Sequence, residues 1–238
     1  MIINDFALLA SDTARTKAYL QMMAKEEMLP EACIVYTDNI DQMEKAAADY
    51  KKSDNGVQYF NLDEPILYTI KNAGIKYSVI RNRDINSNEI VNAIQSHLQK
   101  YFIYSGYGGY ILGSHLFKIG KKYVHIHAGI LPQYRGSTTA YYSMLQENYI
   151  GATAIFLSEG IDEGEILLQE RFPIPGKDTN IDTLYEPYVR SQVLKALIDE
   201  YNRNGKLEGI QQSQKDTQTY FIIHPVLKHI AMMGNYYE

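Results

Sequence analysis

Residues Phe6–Thr37 read FALLASDTARTKAYLQMMAKEEMLPEACIVYT and have the pattern of a strand, a helix and a second strand. The apolar run Phe6–Ala10 predicts a strand, and the following Ser11-Asp12 is typical of a helix N-cap. Residues Thr13–Met28 have the pattern of an amphipathic helix, and Ala32–Thr37 predicts a second, buried strand. A strand–helix–strand opening predicts a parallel sheet with a right-handed crossover.

The same alternation continues to about residue 130, so the chain is predicted to have an α/β fold with an open, doubly wound, mainly parallel sheet. Such sheets bind ligands at the carboxyl ends of their strands. The sequence predicts helices over Asp41–Lys52, Glu64–Ala73 and Asn88–Gln99, a turn at Asp54-Asn55-Gly56, and strands over Tyr77–Ile80, Tyr101–Ser105 and Tyr123–His127.

The second half is predicted to complete this α/β domain and to add a smaller C-terminal extension. Its patterns predict a helix over Ser137–Glu147, strands over Ala152–Leu157 and Ile166–Glu170, a helix over Thr183–Tyr201, and a closing pair of strands over Leu207–Gln212 and Thr219–Ile223. We therefore expect one α/β domain over residues 1–175 and, over residues 176–238, a helix with a β-hairpin packed on that domain.

Composition narrows the class of protein. The 238 residues carry a formal net charge of −5, which argues against a nucleic-acid partner. No apolar run is long enough to predict a membrane span, and the first residues lack the pattern of a signal peptide. A single cysteine, Cys33, excludes an internal disulfide. These features predict a cytoplasmic protein without a membrane partner.

A second stretch, His125-Ile126-His127-Ala128-Gly129-Ile130-Leu131-Pro132-Gln133-Tyr134-Arg135-Gly136, carries the candidate chemistry. On a strand, His125 and His127 point to one face, while Val124 and Ile126 point to the other. Two imidazoles at the end of a strand fit a catalytic site, a structural role or a metal site equally well at this point. No Gly-x-Gly-x-x-Gly or Walker A motif supports nucleotide binding elsewhere.

A metal site needs a third and a fourth ligand beside the two imidazoles. The remaining histidines fall on predicted helical, turn or C-terminal segments from which no ligand set is assembled: His97, His115, His224 and His229. We therefore predict no metal. A metal-dependent hydrolase stays as an alternative that predicts stoichiometric bound metal.

The His125–Gly136 stretch resembles the core motif of folate-dependent formyltransferases, which has the pattern Asn-x-His followed by Ser/Ala-x-Leu-Pro-x-Tyr/Phe-x-Gly. A second family block, Gly-x-Asp-x-Gly, resembles residues 160–164, whose Asp162 lies 162 − 127 = 35 positions after His127. A third block resembles Gly108–Leu112. The resemblance covers about residues 6–175 and implies the Rossmann-like formyltransferase fold, most similar to that of sugar-nucleotide N-formyltransferases.

The resemblance also implies the catalytic residues. The family trio of Asn, His and Asp falls on His125, His127 and Asp162, with histidine in place of the family asparagine. An imidazole N–H donates a hydrogen bond to a developing oxyanion as an amide does. In this interpretation His127 also shuttles the proton of the amine, and Asp162 orients His127.

The co-substrate that the resemblance implies is 10-formyltetrahydrofolate, with no metal. Its pterin is expected to lie against the backbone of two segments. The implied cofactor-binding residues are Gly109, Tyr110, Ile111, Leu112, Ser158, Gly160 and Ile161.

The implied acceptor is an amino sugar linked to a nucleotide, because the chain shows neither the RNA-binding extension nor the phosphate loop of other family members. Arg135 is expected to contact a phosphate or to form a salt bridge at the entry of a helix. The other candidate substrate-binding residues are Tyr134, Tyr220 and Lys228. A catalytically idle folate- or nucleotide-sugar-binding module, and a non-sugar amine acceptor, stay open. Related sugar formyltransferases are often dimers, which makes a homodimer an expectation here.

Overall fold

The computed structural model describes residues 2–52, 57–213 and 217–233. The turn expected at Asp54-Asn55-Gly56 lies outside these described residues. The chain forms two compact units, residues 1–124 and 125–238. The predicted division at residue 175 stays a prediction.

The first unit is an alternation of strands and helices. Its elements are β1 (Ile2–Ala10), α1 (Ala14–Lys25), β2 (Leu29–Tyr36), α2 (Ile40–Asp49), α3 (Ile66–Asn72), β3 (Tyr77–Ile80), α4 (Asn88–Ser96), β4 (Tyr101–Ser105), α5 (Ser114–Phe117) and the start of β5 (Lys122–His127). The strand order is β3-β2-β1-β4-β5, and each of these pairings is parallel. The strand order reverses direction between β1 and β4, which confirms the predicted doubly wound parallel sheet.

The helix after β1 begins slightly later than the sequence predicts. The N-cap of α1 is Thr13, whose hydroxyl accepts a hydrogen bond from the Thr16 N–H at 3.2 Å. The Ser11 hydroxyl is buried instead and donates to the Ser105 carbonyl oxygen at 3.0 Å. Ser11 thus joins the ends of β1 and β4, which is why the next hydroxyl residue caps the helix.

The second unit contains the end of β5 and the remaining elements. These are β6 (Arg135–Gly136), α6 (Thr139–Glu147), β7 (Ile150–Phe156), β8 (Ile166–Phe172), a π-helical turn (Ile181–Tyr185), α7 (Glu186–Asn204), β9 (Thr219–Tyr220) and α8 (Pro225–Met233). The sheet order here is β5-β7-β8, with β7 and β8 antiparallel. Helix α7 packs on both β7 and β8 and buries Val189, Val193 and Leu197 against them.

The predicted C-terminal β-hairpin is wrong for the described residues. Thr219-Tyr220 pairs in parallel with Arg135-Gly136. The segment at 207–212 makes only an isolated bridge, from Ile210 to Ile166. The Tyr220 ring stacks on Tyr134 with centroids 5.4 Å apart, so burial of this aromatic ring draws β9 toward β6. The chain continues beyond β9 into α8.

Candidate functional site

Strand β5 places the two histidines at its carboxyl end. Val124 and Ile126 are fully buried, as expected for the core face of a strand. His127 is buried and His125 is half-buried. The charges of both imidazoles lower the pKa of the same carboxyl, that of Asp162.

The His127 ring lies between two oxygen acceptors. Its Nδ1 is 3.3 Å from Asp162 Oδ1, and its Nε2 is 2.6 Å from the carbonyl oxygen of Tyr134. Because a carbonyl and a carboxylate only accept hydrogen bonds, both contacts are hydrogen bonds only when the ring carries two protons. The arrangement fixes the plane of the ring and places each of its nitrogens against an acceptor.

The Asp162 carboxylate is held at both of its oxygens. Oδ1 faces His127, and Oδ2 accepts a hydrogen bond from the Gly136 N–H at 2.9 Å. Burial by itself raises the pKa of Asp162, but the His127 charge and hydrogen bond, the Gly136 N–H and the His125 charge lower that pKa well below its usual value of 3.8. Asp162 is therefore a carboxylate at neutral pH. Its backbone has φ +55°, a left-handed conformation at the tip of a turn.

The turn that carries Asp162 is tightly packed. A Cβ on Gly164 would lie 1.6 Å from the carbonyl oxygen of Phe156, so only glycine allows this approach. The side-chain amide of Gln212 donates to the carbonyl oxygens of both Asp162 and Gly164 at 2.7 Å. The site thus depends on close backbone approach as well as on its titratable groups.

The turn after β5 is held by side chains from β7 and β8. The Thr153 hydroxyl accepts from the Leu131 N–H at 3.1 Å and donates to the Gly129 carbonyl oxygen at 2.6 Å. The Gln169 amide donates to the Leu131 carbonyl oxygen at 2.6 Å. The Leu131–Pro132 peptide bond is cis. These contacts determine where the Tyr134 carbonyl oxygen meets His127.

The four residues predicted to bind the acceptor have partners within the second unit. The Arg135 guanidinium is buried and bonds Gln212, and the Tyr134 hydroxyl donates to Glu147 at 2.8 Å. The Tyr220 hydroxyl bonds Gln146, and Lys228 forms an ion pair with Asp182. Arg135 Nη1 also lies 3.5 Å from Glu163 Oε1. Substrate binding by these four stays a prediction.

The predicted pterin-binding turn of the first unit combines exposed side chains with a fixed backbone. Tyr110 and Ile111 are 36% and 60% exposed, whereas Leu112 is buried. The Asn86 amide donates to the Ile111 carbonyl oxygen at 2.9 Å and accepts from the Gly113 N–H at 2.6 Å. The Tyr104 hydroxyl donates to the Tyr110 carbonyl oxygen at 3.2 Å. An exposed apolar turn with a fixed backbone suits a flat ligand.

The other predicted pterin-binding residues lie on the turn before Asp162. Ile161 is 60% exposed, and the Ser158 hydroxyl donates to the Gly160 carbonyl oxygen at 3.4 Å. The role of Ser158, Gly160 and Ile161, like that of Gly109, stays a prediction.

No cluster of three or more histidine, cysteine or acidic side chains suited to a metal ion is found within residues 2–52, 57–213 and 217–233. Across the part of the chain that the structure describes, the helices are too short or too polar to cross a membrane.

Sequence patterns did not indicate three groups that hold the centre: the Tyr134 carbonyl, the Gly136 N–H and the Gln212 side chain. The first two are backbone atoms, which carry no residue-type signal. Gln212 is 50 positions from Asp162, and one sequence offers no signal that brings them together.

Comparison with known proteins shows the family of the chain. A model of the formyl transferase family matches residues 5–199. The chain belongs to the formyl transferase family, and its resemblance at His125–Gly136 and residues 160–164 is thereby confirmed at the level of the family.

Among curated proteins, methionyl-tRNA formyltransferase of Ehrlichia canis is 35% identical over 96 residues, which is 39% of this chain and 30% of that protein. The enzyme of the same name from Finegoldia magna is 23% identical over 52% of this chain and 41% of its own length. The matches thus span less than half the length of these relatives.

Solved structures share the fold. An N-formyltransferase from Helicobacter canadensis, in complex with folinic acid and dTDP-3-aminofucose, is 19% identical with a TM-score of 0.55, covering 92% of this chain and 71% of that one. Glycinamide ribonucleotide transformylase 1 from Symbiobacterium toebii is 16% identical with a TM-score of 0.57, covering 87% and 93%.

Proposed function

We propose that this chain is an N-formyltransferase that moves a formyl group from 10-formyltetrahydrofolate to the primary amine of a nucleotide-linked amino sugar. The observation that carries the proposal is the His127–Asp162 pair beside His125, with both Asp162 oxygens held and its charge maintained. Family membership supports formyl transfer, and the Helicobacter canadensis structure, which holds a folate and an amino-sugar nucleotide, supports this acceptor class.

The chemistry asks little of the protein beyond proton placement and oxyanion stabilisation. The acceptor nitrogen forms a bond to the formyl carbon, and the carbonyl π electrons move to oxygen to give a tetrahedral oxyanion. When the oxyanion collapses, the bond from carbon to N10 breaks, and N10 takes up the proton that the amine loses. The products are the formamide and tetrahydrofolate. Removal of one oxyanion donor from such a site typically costs about a hundred- to a thousandfold in rate.

The two imidazoles have different tasks in this scheme. The Nε2 proton of His127 is bonded to the Tyr134 carbonyl oxygen in the resting structure, so the substrate oxygen must replace that carbonyl as acceptor. His125 is half-buried and stands where the family has asparagine, and its N–H is the second oxyanion donor. Asp162 keeps His127 oriented while the proton passes from amine to N10.

The folate fits the exposed turn of the first unit chemically. Its backbone groups are fixed by Asn86 and Tyr104, and the exposed Ile111 side chain offers apolar surface to a flat heterocycle. Gly109, Tyr110 and Leu112 complete that proposed surface, and Ser158, Gly160 and Ile161 are the proposed contacts from the turn before Asp162.

The experiment is a mass-spectrometric screen of 10-formyltetrahydrofolate against a panel of nucleotide-linked amino sugars. Wild type is compared with His127→Ala, and with His229→Ala as a control on an exposed histidine of α8. We expect one sugar to gain one formyl group with wild type and His229→Ala, and none with His127→Ala.

Two other results would overturn part or all of the proposal. Transfer to methionyl-tRNA but to no sugar would leave the formyltransferase and reject the acceptor. Folate binding without transfer to any sugar, methionyl-tRNA or simple amine would reject the transferase in favour of the idle binding module.

A further inference from the structure

Gln212 makes four hydrogen bonds between the Asp162 turn and Arg135. Its side-chain N–H groups donate to the carbonyl oxygens of Asp162 and Gly164, both at 2.7 Å. Its Oε1 accepts from Arg135 Nη2 at 2.8 Å and from Arg135 Nε at 3.3 Å. Both amide protons and both oxygen lone pairs are therefore used, as is expected of a side chain that fixes one geometry.

Arg135 is a rigid anchor for that amide. Its side chain is 6% exposed, and Nη1 lies 3.5 Å from Glu163 Oε1. Its backbone N–H donates to the Gln218 carbonyl oxygen at 3.1 Å. A buried guanidinium needs such partners, because an unpaired buried charge is strongly destabilising. Glu163 adjoins Asp162 in the chain, so Arg135 contacts the Asp162 turn directly as well as through Gln212.

The neighbouring residue connects this network to the carboxylate. Gly136 follows Arg135 in β6 and donates its N–H to Asp162 Oδ2 at 2.9 Å. Asp162 is thus held at its carboxylate by Gly136 and at its backbone carbonyl by Gln212. Both contacts depend on the two-residue strand β6, because Gly136 belongs to it and Gln212 is bonded to its other residue, Arg135.

We propose that Gln212 is a positioning residue that sets the place of the Asp162 carboxylate against His127, with Arg135 as its anchor. The inference rests on the proposed function for its catalytic consequence only. Displacement of a catalytic group by about 1 Å costs on the order of a hundredfold in rate, so loss of this amide is expected to act on kcat. Neither Gln212 nor Arg135 needs to contact substrate.

The test compares three variants. Gln212→Met keeps the length of the side chain and loses all four hydrogen bonds. Gln212→Glu keeps an acceptor for Arg135 and replaces the donors by oxygens that face the two carbonyls. Gln211→Met is the matched control, because Gln211 is exposed and donates to Glu165 Oε1 at 2.9 Å.

We expect kcat to fall about ten- to a hundredfold in Gln212→Met and at least as far in Gln212→Glu, with KM for both substrates within about twofold of wild type. Gln211→Met is expected to match wild type. Equal kcat in Gln212→Met and wild type would overturn the inference, and so would a loss confined to KM.

A second measurement does not depend on transferase activity. Carbon-13 NMR of labelled aspartate follows the titration of the Asp162 carboxyl, assigned with Asp162→Asn. The charged groups that act on it are His127 and His125, with Arg135 and Glu163 close by. Release of the turn weakens the His127 contact, so the Asp162 titration should move to higher pH in Gln212→Met and stay unchanged in Gln211→Met.

The two measurements separate the two proposals. If no acceptor is formylated by wild type while the carboxyl titration moves as expected, the proposed function fails and the positioning role stands. If Gln212→Met does not fold, as judged by circular dichroism, Gln212→Glu replaces it in both measurements. An unchanged Asp162 titration in the folded Gln212 variant overturns the positioning role whatever the activity.

Discussion

Two regions with proposed roles in the same reaction are built in different ways. At the His127–Asp162 pair, the polar groups lie between fixed protein atoms, and the His127 and Asp162 side chains are only 5% and 11% exposed. At the turn of Gly109–Leu112, the backbone is fixed by Asn86 and Tyr104 while the Ile111 side chain is 60% exposed.

The difference follows from what each region is proposed to do. Proton transfer and oxyanion stabilisation need groups whose geometry and charge are set in advance. A ligand-binding turn needs free apolar surface, and its own rigidity decides how much entropy is lost on binding. We therefore expect changes at the pair to act on kcat and changes at the turn to act on KM.

The largest expected effect comes from Asp162→Asn. The amide keeps the shape and an acceptor for Gly136, but it removes the charge and turns an N–H₂ group toward His127 Nδ1. With an N–H₂ group facing it, Nδ1 can only accept, so the ring cannot hold the second proton that it is proposed to pass on. We therefore expect kcat to fall about a hundred- to ten-thousandfold with little change in KM. Steady-state kinetics measure this, with exposed Asp178→Asn as the control. A change confined to KM would place Asp162 among binding residues.

The next effect is on the turn itself. Gly164→Ala puts a Cβ where the Phe156 carbonyl oxygen lies, so the turn must shift. Overpacking of this kind costs about 1–3 kcal/mol of the free energy of unfolding, or roughly 2–12 °C in Tm for a chain of this size. Calorimetry should show this, together with a loss of kcat.

Gly176→Ala is the control for that substitution, since nothing lies within 4 Å of its added Cβ. Equal Tm and kcat in the two alanine variants would show that the turn before β8 accommodates the methyl group. The Asp162 turn would then not be tightly packed, which contradicts the contrast with the exposed Gly109–Leu112 turn.

A smaller effect is expected at the exposed turn. Asn86→Ala removes the two hydrogen bonds that fix Ile111 and Gly113. Two lost hydrogen bonds at about 0.5–1.5 kcal/mol each suggest a rise in KM for folate of roughly five- to 150-fold, with kcat unchanged. Asn88→Ala, at an exposed position nearby in the chain, is the control. A fall in kcat would contradict the division in which the His127–Asp162 pair acts on kcat and the Gly109–Leu112 turn acts on KM.

The smallest effect is on stability in acid. The pKa of Asp162 is lower in the folded chain than its usual value, so the carboxylate stabilises the fold above about pH 4 and loses this contribution as the pH falls further. The difference in free energy of unfolding between wild type and Asp162→Asn should therefore shrink between about pH 5 and pH 2. Urea titrations across this range measure it. A constant difference would mean that the carboxyl titrates normally.

The first unit could largely be predicted from the sequence. Strands β3 and β4 have their predicted bounds. For β4 the reason is that a buried parallel strand shows in the sequence as a short apolar segment. Helix α4 ends at Ser96, three residues before its predicted end at Gln99, since helix ends depend on local hydrogen bonds.

The C-terminal region could not be predicted in the same way. Leu207–Gln212 has the residue types of a strand, but only Ile210 finds a bridge partner among the described residues. The local sequence pattern does not indicate which segment a strand pairs with, and β9 pairs with a segment 84 positions earlier. The titratable members of the site were predictable from the family motif, whereas Gln212 and the backbone donors become visible only in three dimensions.

The β6–β9 pairing has a consequence for the order of assembly. A Cβ on Gly136 would lie 2.1 Å from the Tyr220 carbonyl oxygen, so Tyr220 packs closely against Gly136. The N–H that bonds the Asp162 carboxylate therefore belongs to a residue in contact with the C-terminal segment. During synthesis the ribosome releases the N-terminal part first, and contacts between distant residues form only after both have emerged. The strands can pair early, but the contacts that hold Asp162 are complete only when Gln212 and Tyr220 have emerged. We therefore expect a nascent chain to form its sheet before the contacts of Asp162 are complete.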